Sequence, residues 1–533
     1  MNQPDATFEL IVIGAGINGA AIAREAALAG LKVLLVERGD VGAGTSASSS
    51  RLIHGGLRYL EYGELGLVYE SLHERERLLR LAPHLVAPLE LVIPVYRGAR
   101  RPRWQIAVGL ALYDLLSIGR SVPGRTLLGR DELLARMPGL NSRELVGGAS
   151  YYDAQVRYPE RLVVENVRDA VANGAVLRTR TRVTRVRVDG GRAVGVEWRA
   201  ANGTGGAAAA PLIVNAAGPW VDEVLGPIHH TRLLGGTKGS HVIVPPFAGA
   251  PRTGVYVEAG ADGRPFFILP WNELLLIGTT DERFEGDAGT AAIDSDEIAY
   301  LTSETERVFP GAAGLAARVL YTHTGIRPLP WQPRGATAAI TRRHVIRRHR
   351  AARGLYSVVG GKLTTHRALA EDVLRKVRRE LPRPIAGHPT RTRPLPGALD
   401  GPARDSLLAE LGARLGSAPA QRLWNVYGSA AAEIAALTAR PELAAQVDAV
   451  SGVLVAELVY AIEREWAFTL EDLLQRRCMA GLGADFGLRA ARGAAAALVR
   501  LGVWDAARAA EELDAYRALA VRHCVAASTL AAR

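Results

Sequence analysis

The sequence contains little cysteine, few aromatic residues and no long apolar run. Its 533 residues include two cysteines, Cys478 and Cys524. Two cysteines cannot build a disulfide framework and their spacing suits no metal site, so we expect two reduced core thiols in a cytosolic protein and no bound metal. No window reaches about 18 consecutive apolar residues, which argues against a membrane-spanning helix. No basic and apolar leader precedes the first predicted strand, and we expect no secretory signal.

Acidic residues are outnumbered by basic ones, 54 to 65, and the formal net charge is +11. A basic protein can bind nucleic acid, anionic lipid or anionic metabolites. Aromatic residues make up 6% of the chain and no nucleic-acid motif is visible, so platforms on which bases could stack are scarce. We therefore expect no nucleic-acid partner. The hydrophobic fraction of 48% and the charged fraction of 22% are those of a globular protein, and the length predicts two or three domains.

Residues 7–37 are the most informative stretch, because they predict a complete dinucleotide-binding unit. A β-branched apolar strand leads into Gly14, Gly16 and Gly19, and an Ala-rich helix and a second apolar strand that ends in Glu37 follow. The first glycine permits a tight turn, the second lets the backbone approach a pyrophosphate, and the third lets helix and strand pack closely. The helix N-terminus attracts phosphates, and Glu37 can accept hydrogen bonds from both ribose hydroxyls.

This motif is common to NAD and FAD enzymes, and the segment that follows it favours a flavin. Thr45, Ser46 and the serines at 48–50 offer short hydroxyl side chains that can bond phosphate or ribityl oxygens. They lead directly into His54 and two glycines, where small residues would permit close approach of a flat ring. We therefore predict FAD rather than NAD.

Further short motifs extend over nearly the whole chain. They are GINGA (16–20), SRLIHGGLRYLE (50–61), VNAAGPW (214–220), KGSH (238–241), IGTTD (277–281), GIRPL (325–329), GGKLTTHR (360–367) and EREWAFTLEDLLQRR (463–477). In sequence and order these motifs closely resemble those of the FAD-dependent glycerol-3-phosphate dehydrogenases, the respiratory, membrane-associated type. The last motif resembles the helical tail domain of that family.

The resemblance and the coarse pattern of the chain predict an α/β fold with three parts. A Rossmann-like FAD-binding domain of the glutathione-reductase/D-amino-acid-oxidase type is interleaved with a substrate cap built on an antiparallel sheet, and an all-helical domain follows. A Pro-rich stretch predicts a linker ahead of the helical domain. The expected bounds are 1–80, 150–230 and 322–385 for the FAD-binding domain, 81–149 and 231–321 for the cap, and 395–533 for the helical domain.

The resemblance implies oxidation of sn-glycerol 3-phosphate to dihydroxyacetone phosphate, with hydride transfer to FAD. A phosphate dianion in a desolvated pocket calls for arginine side chains, which bind it bidentately. Arg58 and Arg327 lie within family-like motifs, and we predict that both bind the substrate, together with Lys238 and Tyr59.

The proton-accepting base is predicted among two histidines, because imidazole can accept a proton near neutral pH. His241, in the cap, is better placed to reach the substrate hydroxyl, whereas His54 is alternatively expected to lie against the isoalloxazine ring. Lys362 is predicted to place positive charge near flavin N1–C2=O, where negative charge gathers on reduction. The predicted catalytic residues are Arg327, His241, Arg58, Tyr59 and Lys362, and the predicted substrate contacts are Arg58, Arg327, His241 and Lys238.

The predicted cofactor contacts come from the motifs above and from a strand that, by resemblance, reaches the adenine. They are Gly14, Gly16, Asn18, Gly19, Glu37, Arg38, Thr45, Ser46, Ser49, Ser50, His54, Gly56, Val183, Gly218, Trp220, Gly361, Lys362, Leu363 and Thr364. Two positions depart from the family pattern: Arg51 stands where lysine is usual, and His366 where tyrosine is usual. These departures put the flavin contacts near them in question.

Four arginines between 97 and 103 precede a segment, 104–119, that predicts an amphipathic helix with Trp104 at its polar edge. We interpret it as an interfacial anchor beside anionic headgroups; the alternative is a buried core helix after a solvated loop. The resemblance adds a membrane quinone as electron acceptor and a cytoplasmic protein bound peripherally to the inner face of the cell membrane. A homodimer is also expected.

Several alternatives remain at the level of sequence. An oxidase would reoxidise its flavin with O2, and an amine-type flavin oxidase would not need the arginine pair. A flavin-binding protein acting beside nucleic acid would use the basic stretches 97–103 and 342–353 as phosphate contacts and would bind in a salt-dependent way. The second stretch, which predicts a hairpin, is otherwise a solvated basic surface or a second lipid contact.

Overall fold

The structure, a computed structural model, describes residues 6–229, 231–335, 337, 340–385 and 387–525. Within these residues the strands form three sheets, and the chain ends in a set of helices. Strands and helices are numbered below in chain order.

A six-stranded sheet, in the order β19-β20-β12-β2-β3-β8, forms the centre of the nucleotide-binding part. All its pairings are parallel except that of β19 with β20. Its inner strands are fully buried and mostly apolar, as expected for a sheet covered on both faces. The bounds are β2 Leu10–Ile13, β3 Val33–Val36, β8 Val176–Arg178, β12 Ile213–Asn215, β19 Val345–Arg348 and β20 Leu355–Val359.

Helices cover one face of this sheet and a small second sheet covers the other. Helix α1 (Ile17–Leu28) packs between α5 (Pro159–Ala172) and α8 (His366–Val377). The small sheet shares a buried apolar cluster with the strands of the large one. Its order is β1-β11-β10-β9, with β1 Ala6–Thr7, β9 Thr181–Asp189, β10 Arg192–Ala200 and β11 Gly205–Ala209.

The third sheet has ten strands and is mainly antiparallel, which confirms the predicted α/β fold with an antiparallel cap. Its order is β17-β13-β16-β15-β14-β5-β7-β4, with β18 on β13 and β6 on β7. The bounds are β4 Leu52–Ile53, β5 Val86–Tyr96, β6 Thr126–Gly129, β7 Leu145–Val156, β13 Thr237–Val244, β14 Gly254–Glu258, β15 Pro265–Trp271, β16 Leu274–Gly278, β17 Glu282–Arg283 and β18 Tyr321–Arg327.

The expected domain bounds cut across this sheet, and two of them fall within single strands. Strand β4 lies inside the predicted FAD segment 1–80, β7 crosses the bound at 150, and β18 crosses the bound at 322. The helices that accompany the sheet are α2 Leu65–Leu81, α3 Arg103–Leu116, α4 Arg130–Arg136, α6 Val221–Leu225 and α7 Ser295–Val308. Helix α7 begins with a capping box formed by Asp294 and Glu297.

The C-terminal part is helical, as predicted. Its helices are α9 Gly401–Leu415, α10 Ser417–Tyr427, α11 Ala431–Leu437, α12 Pro441–Ala444, α13 Val455–Glu465, α14 Leu488–Arg500 and α15 Ala506–His523, and a π-helical turn spans Asp472–Arg477. Arg161 of α5 forms two hydrogen bonds with Glu465, of 2.6 and 2.7 Å, and both side chains are fully buried. This pair joins the helices to the nucleotide-binding part.

Helix α3 is not a buried core helix. Only Leu110 and Tyr113 are buried along it, while 69% of Trp104 is exposed, and Val108 and Leu115 are exposed as well. No helix in the described ranges is both long enough and apolar enough to cross a bilayer. The helix therefore presents apolar side chains at the surface.

The two cysteines differ in environment. Cys478 is buried, and burial raises the pKa of its thiol to about 12. Cys524 is only half-buried, so the expectation of a core thiol holds for the first and not for the second.

Candidate functional site

The turn between β2 and α1 has the geometry that close phosphate approach requires. Gly14 has φ +99°, and a Cβ on it would lie 2.8 Å from the carbonyl oxygen of Ala216. A Cβ on Gly19 would lie 1.8 Å from the carbonyl oxygen of Gly14, so any larger residue would separate helix from turn. The Ile17 amide at the helix N-terminus points towards the Ser46 hydroxyl, 3.0 Å away. Backbone N–H groups are thus grouped where an anion can bind.

Glu37 ends β3 with its carboxylate held by the backbone. One oxygen accepts a hydrogen bond from the amide of Ala15 at 2.7 Å, and the other from the amide of Gly39 at 2.8 Å. Burial raises the pKa of this carboxyl, although the two backbone bonds oppose the rise. Each oxygen keeps a lone pair, so the group can still accept the two ribose hydroxyls predicted from sequence.

A first cavity of about 620 Å³ runs from Glu37 along the pyrophosphate turn. A second, of about 250 Å³, continues from it towards the cap, and the two share wall residues. Every predicted cofactor residue except Gly19 lines one of the two cavities. The first is lined by Gly14, Gly16, Asn18, Glu37, Arg38, Thr45, Ser46, Ser49, Val183, Gly218, Trp220, Gly361 and Leu363, and the second by Ser50, His54, Gly56, Lys362 and Thr364.

An elongated cofactor with a polar centre fits this continuous space. Asn18 Oδ1 is buried in the wall of the first cavity and has no hydrogen-bond partner within the described part of the chain. The Arg38 guanidinium stacks on the Trp220 ring at 3.7 Å and closes one side. The donors, the carboxylate and the glycine-lined approach are therefore compatible with FAD.

The second cavity contains a cluster of arginines around one carboxylate. Arg327, at the end of β18, donates to Asp281 Oδ1 at 3.1 Å, and Arg342 donates to Asp281 Oδ2 at 3.0 Å. Burial alone would raise the pKa of Asp281, but the charges of Arg327, Arg342 and Arg58 act against it, and the pKa lies below its ordinary value. Arg58 also lines this cavity. Three cations facing one carboxylate give the positive field that a phosphate dianion needs.

Arg58 differs from the other two arginines in having its donors available. Within the described ranges it makes no hydrogen bond or ion pair, and its guanidinium lies 5.9 Å from the ring centroid of Tyr59. Arg327, by contrast, also donates to the Thr279 hydroxyl at 2.9 Å and to the carbonyl of Thr280 at 3.1 Å. Arg58 can therefore offer a whole guanidinium fork to a ligand.

Arg342 is a residue that the sequence did not single out. It belongs to the Arg-rich stretch 342–353, which forms the predicted hairpin of β19 and β20. Arg347 and Arg348 of that hairpin are exposed, in keeping with a solvated basic surface, but Arg342 is buried in the cavity wall. Its ion pair with Asp281 bridges 61 residues of sequence, and no local signal announces it.

His241 of β13 lines the second cavity as a neutral imidazole. Its Nε2 lies 2.8 Å from the Ser50 hydroxyl, and its buried Nδ1 has no partner among the described residues. Burial, and then the charges of Arg327 and Arg51, lower the pKa of this histidine to about 3. A neutral imidazole can accept a proton from a ligand.

His54 and Lys362 form one structural unit in the wall of the second cavity. The Lys362 ammonium donates to the carbonyls of His54, at 3.0 Å, and Gly55, at 3.3 Å, and to the Ser71 hydroxyl at 3.0 Å. Burial lowers the pKa of Lys362 to about 7, and burial also lowers that of His54 well below its ordinary value. The lysine thus fixes the His54–Gly55 backbone, and its predicted charge effect on a flavin stays a prediction.

Lys238 is held by a cluster of carboxylates. Its ammonium lies 2.8 Å from Asp294, 2.9 Å from Glu297 and 3.7 Å from Glu282, and it lines neither cavity. Lys238 and His241 are three residues apart on β13, and such residues point to opposite faces of a strand. Lys238 therefore lies outside the cavity that His241 lines, and its contact with the substrate stays a prediction.

The two departures from the family pattern also lie away from the cavities. Arg51 is fully buried and binds both oxygens of Glu160, at 2.9 and 2.8 Å. His366 begins α8 and its Nδ1 lies 2.7 Å from the carbonyl of Leu363. Both side chains stabilise loops that line the cavities, so neither change removes a wall residue.

A Rossmann-type glycine turn, a buried carboxylate at the end of β3 and a cavity that continues beneath an antiparallel cap together define an FAD-dependent oxidoreductase. Comparison agrees: residues 9–403 match the FAD dependent oxidoreductase family, and residues 388–509 match the C-terminal domain of alpha-glycerophosphate oxidase. The chain is 39% identical to the glycerol-3-phosphate dehydrogenase of Synechocystis, over 97% of each chain.

Two further relatives bear on fold and substrate. The D-erythritol 1-phosphate dehydrogenase of Brucella abortus is 36% identical over 90% of this chain and 95% of its own. The crystal structure of the glycerol-3-phosphate dehydrogenase from Bacillus halodurans, complexed with FAD, superposes with a TM-score of 0.78 at 25% identity, covering 98% of this chain and 95% of that one. The chain belongs to the FAD-dependent glycerol-3-phosphate dehydrogenase family, and the predicted FAD is confirmed as its cofactor.

Proposed function

We propose that the protein oxidises sn-glycerol 3-phosphate at C2 to dihydroxyacetone phosphate and passes the electrons to a membrane quinone. The arginines around Asp281 are the observation that carries the substrate assignment. They lie in the wall of the second cavity, which continues from the cofactor-binding cavity. A phosphate ester bound there would have its carbon chain between the arginines and the flavin position. When bound, FAD supplies the hydride acceptor.

Arg58 is proposed as the main phosphate ligand, because its donors are not used by the protein. Arg327 and Arg342 are already paired with Asp281 and contribute mainly their positive field. Their fixed positions mean that little side-chain entropy is lost when an anion binds. Tyr59, next to Arg58 in the same wall, is positioned to donate a hydrogen bond to the substrate.

His241 is proposed to accept the proton of the C2 hydroxyl. Burial is the largest cause of its low pKa, and the charge of Arg327 is the next. A phosphate dianion near Arg327 would offset that charge and raise the pKa of the histidine, so substrate binding itself makes the ring a better base. Ser50, which holds Nε2, keeps the ring oriented for this transfer.

The quinone acceptor is supported by the surface around α3. A third cavity, of about 250 Å³, lies between α3 and β5, and its walls carry apolar side chains such as Ile93, Ile106 and Leu112. Arg58 and Tyr256 line both this cavity and the second one. The exposed apolar face of α3 and the arginines at its start would bind peripherally to an anionic membrane, on the cytoplasmic side by our proposal. A homodimer stays a prediction.

The test is an anaerobic flavin spectrum of the purified protein. Glycerol 3-phosphate should bleach the flavin absorbance band at roughly 450 nm, a property of the flavin itself, whereas glycerol should not. Adding D-erythritol 1-phosphate instead tests whether the site accepts a phosphate ester with a longer carbon chain. A band that persists with every phosphate ester would refute the substrate assignment.

The reduced protein then distinguishes the acceptors. Rapid recovery of the band with a short-chain quinone, and slow recovery in air, is the expected result. Fast recovery in air with release of hydrogen peroxide would show that O2 is the electron acceptor and that the protein is an oxidase.

A further inference from the structure

The C-terminal segment contacts the turn that follows Glu37, and the proposed reaction makes no use of this contact. Asp40, three residues after Glu37, is 4% exposed. Its Oδ1 accepts a hydrogen bond from Arg477 at 2.7 Å, and its Oδ2 accepts bonds from Arg477 at 3.0 Å and Arg476 at 2.6 Å. Both arginines belong to the π-helical turn Asp472–Arg477, and Arg477 is fully buried. A cofactor-binding turn is thus held by side chains more than 400 residues away in sequence.

A second contact joins the same two regions. Asp472 forms an ion pair with Arg180, which lines the cofactor cavity. The backbone amide of Arg180 donates to the carbonyl of Gly39 at 2.9 Å, and that of Thr181 donates to the carbonyl of Glu37 at 2.8 Å. The contact through Asp40 thus reaches the turn 37–40 directly, and the contact through Asp472 reaches it by way of the backbone of Arg180 and Thr181.

We propose that Arg476 and Arg477 are positioning residues for the adenosine half of FAD. Through Asp40 they fix the turn 37–40, so that the Glu37 carboxylate and the Gly39 amide keep the geometry in which the ribose can bind. The C-terminal helical domain thereby controls how tightly the cofactor is held.

The physical reason lies in the burial of Asp40. A buried carboxylate that loses its guanidinium partner must protonate or move towards water. Asp40 directly follows Gly39, whose amide is bonded to Glu37 Oε1, so a shift of Asp40 would displace the Glu37 carboxylate. Residues that orient a ligand-binding group from behind commonly change affinity by about ten- to a hundredfold when they are removed, as at metal sites.

The chain offers a matched control in Arg161. Like Arg477, it is fully buried and bonds both oxygens of one buried carboxylate, that of Glu465. The Arg161–Glu465 pair joins the same C-terminal segment to helix α5 and forms no bond to the turn 37–40 within the described residues, although Arg477 also donates to the carbonyl of Glu465 at 2.9 Å. Arg161→Gln should destabilise the domain contact without loosening the ribose-binding turn.

The experiment compares the rate of FAD release from the full-length holoproteins, followed by the rise of flavin fluorescence after dilution. Thermal midpoints from circular dichroism report the general loss of stability. Arg477→Gln is expected to speed FAD release at least about tenfold, whereas Arg161→Gln lowers the midpoint comparably and leaves the release rate at the wild-type value. Arg476→Gln, which leaves the two bonds of Arg477 intact, should give an intermediate rate and serves if Arg477→Gln does not fold.

Equal release rates in the Arg477 or Arg476 variant and in the Arg161 variant would overturn the proposal, because the contact would then serve only to join domains. The measurement uses no substrate or electron acceptor. Its outcome is therefore independent of whether glycerol 3-phosphate is the substrate.

Discussion

Arg58→Met should remove phosphate recognition while leaving the fold intact. Arg58 makes no hydrogen bond or ion pair within the described ranges, so its loss leaves no buried partner unsatisfied. Two hydrogen bonds from its guanidinium to a phosphate would be worth roughly 3 kcal/mol at the lower end of the range for charged pairs. Because Arg58 is half-buried, solvent weakens these bonds, and the lower end is the appropriate choice. With about 1.4 kcal/mol per factor of ten, kcat/KM should fall about a hundredfold.

The assay is steady-state reduction of a quinone dye by glycerol 3-phosphate, with the thermal midpoint measured on the same samples. Arg347→Met is the matched control, since Arg347 is an exposed arginine on β19 that lines none of the three cavities. We expect wild-type kinetics and an unchanged midpoint for the control. Arg58→Met should keep the midpoint as well, and should bind FAD normally.

Two results would refute the reasoning. If kcat/KM of Arg58→Met stays close to the wild-type value, the phosphate does not bind this guanidinium. If activity and thermal midpoint fall together, Arg58 has a structural partner that the geometry does not show. A loss confined to kcat, with KM unchanged, would assign the arginine to the transition state rather than to substrate binding.

Three further outcomes are expected. Trp104→Glu combined with Arg100→Glu should abolish cosedimentation with anionic vesicles and spare activity on a soluble dye; unchanged cosedimentation would exclude α3 as the anchor. Gly19→Ala should give protein with little bound flavin, since a Cβ there would lie 1.8 Å from the carbonyl oxygen of Gly14, and a fully yellow variant would contradict this. The folded-state pKa of His241, about 3, lies below its unfolded value, so the folded protein binds fewer protons between these pKa values and loses stability as pH falls through that window. The thermal midpoint of His241→Gln should therefore fall less with decreasing pH in this window. Parallel curves of midpoint against pH for the variant and the wild type would contradict the lowered pKa.

The nucleotide-binding unit could be predicted because its determinants are local. The glycines, the helix and Glu37 lie within one stretch, and each constrains the next through backbone geometry. Strand alternation is also readable from the sequence, and it places Lys238 and His241 on opposite faces of β13. Arg342 and Asp40 could not be assigned in this way. Their roles depend on Asp281 and on the turn Asp472–Arg477, partners that only the folded chain brings near.

Whether the N–H groups of an arginine already have partners in the protein indicates its role better than the sequence motif in which it lies. Arg477 and Arg161 lie far from bulk water and direct their donors at buried acceptors, so they can hold a neighbouring segment but have little capacity left for a ligand. Arg327 is intermediate, because its bonds to Asp281 and Thr279 fix its charge within the cavity. Arg58 retains its donors at the same cavity. Such a site has one guanidinium available for an anion and two that are anchored. Because Asp281 is already paired with the two anchored arginines, Arg58 need not pair with this carboxylate when the site is empty.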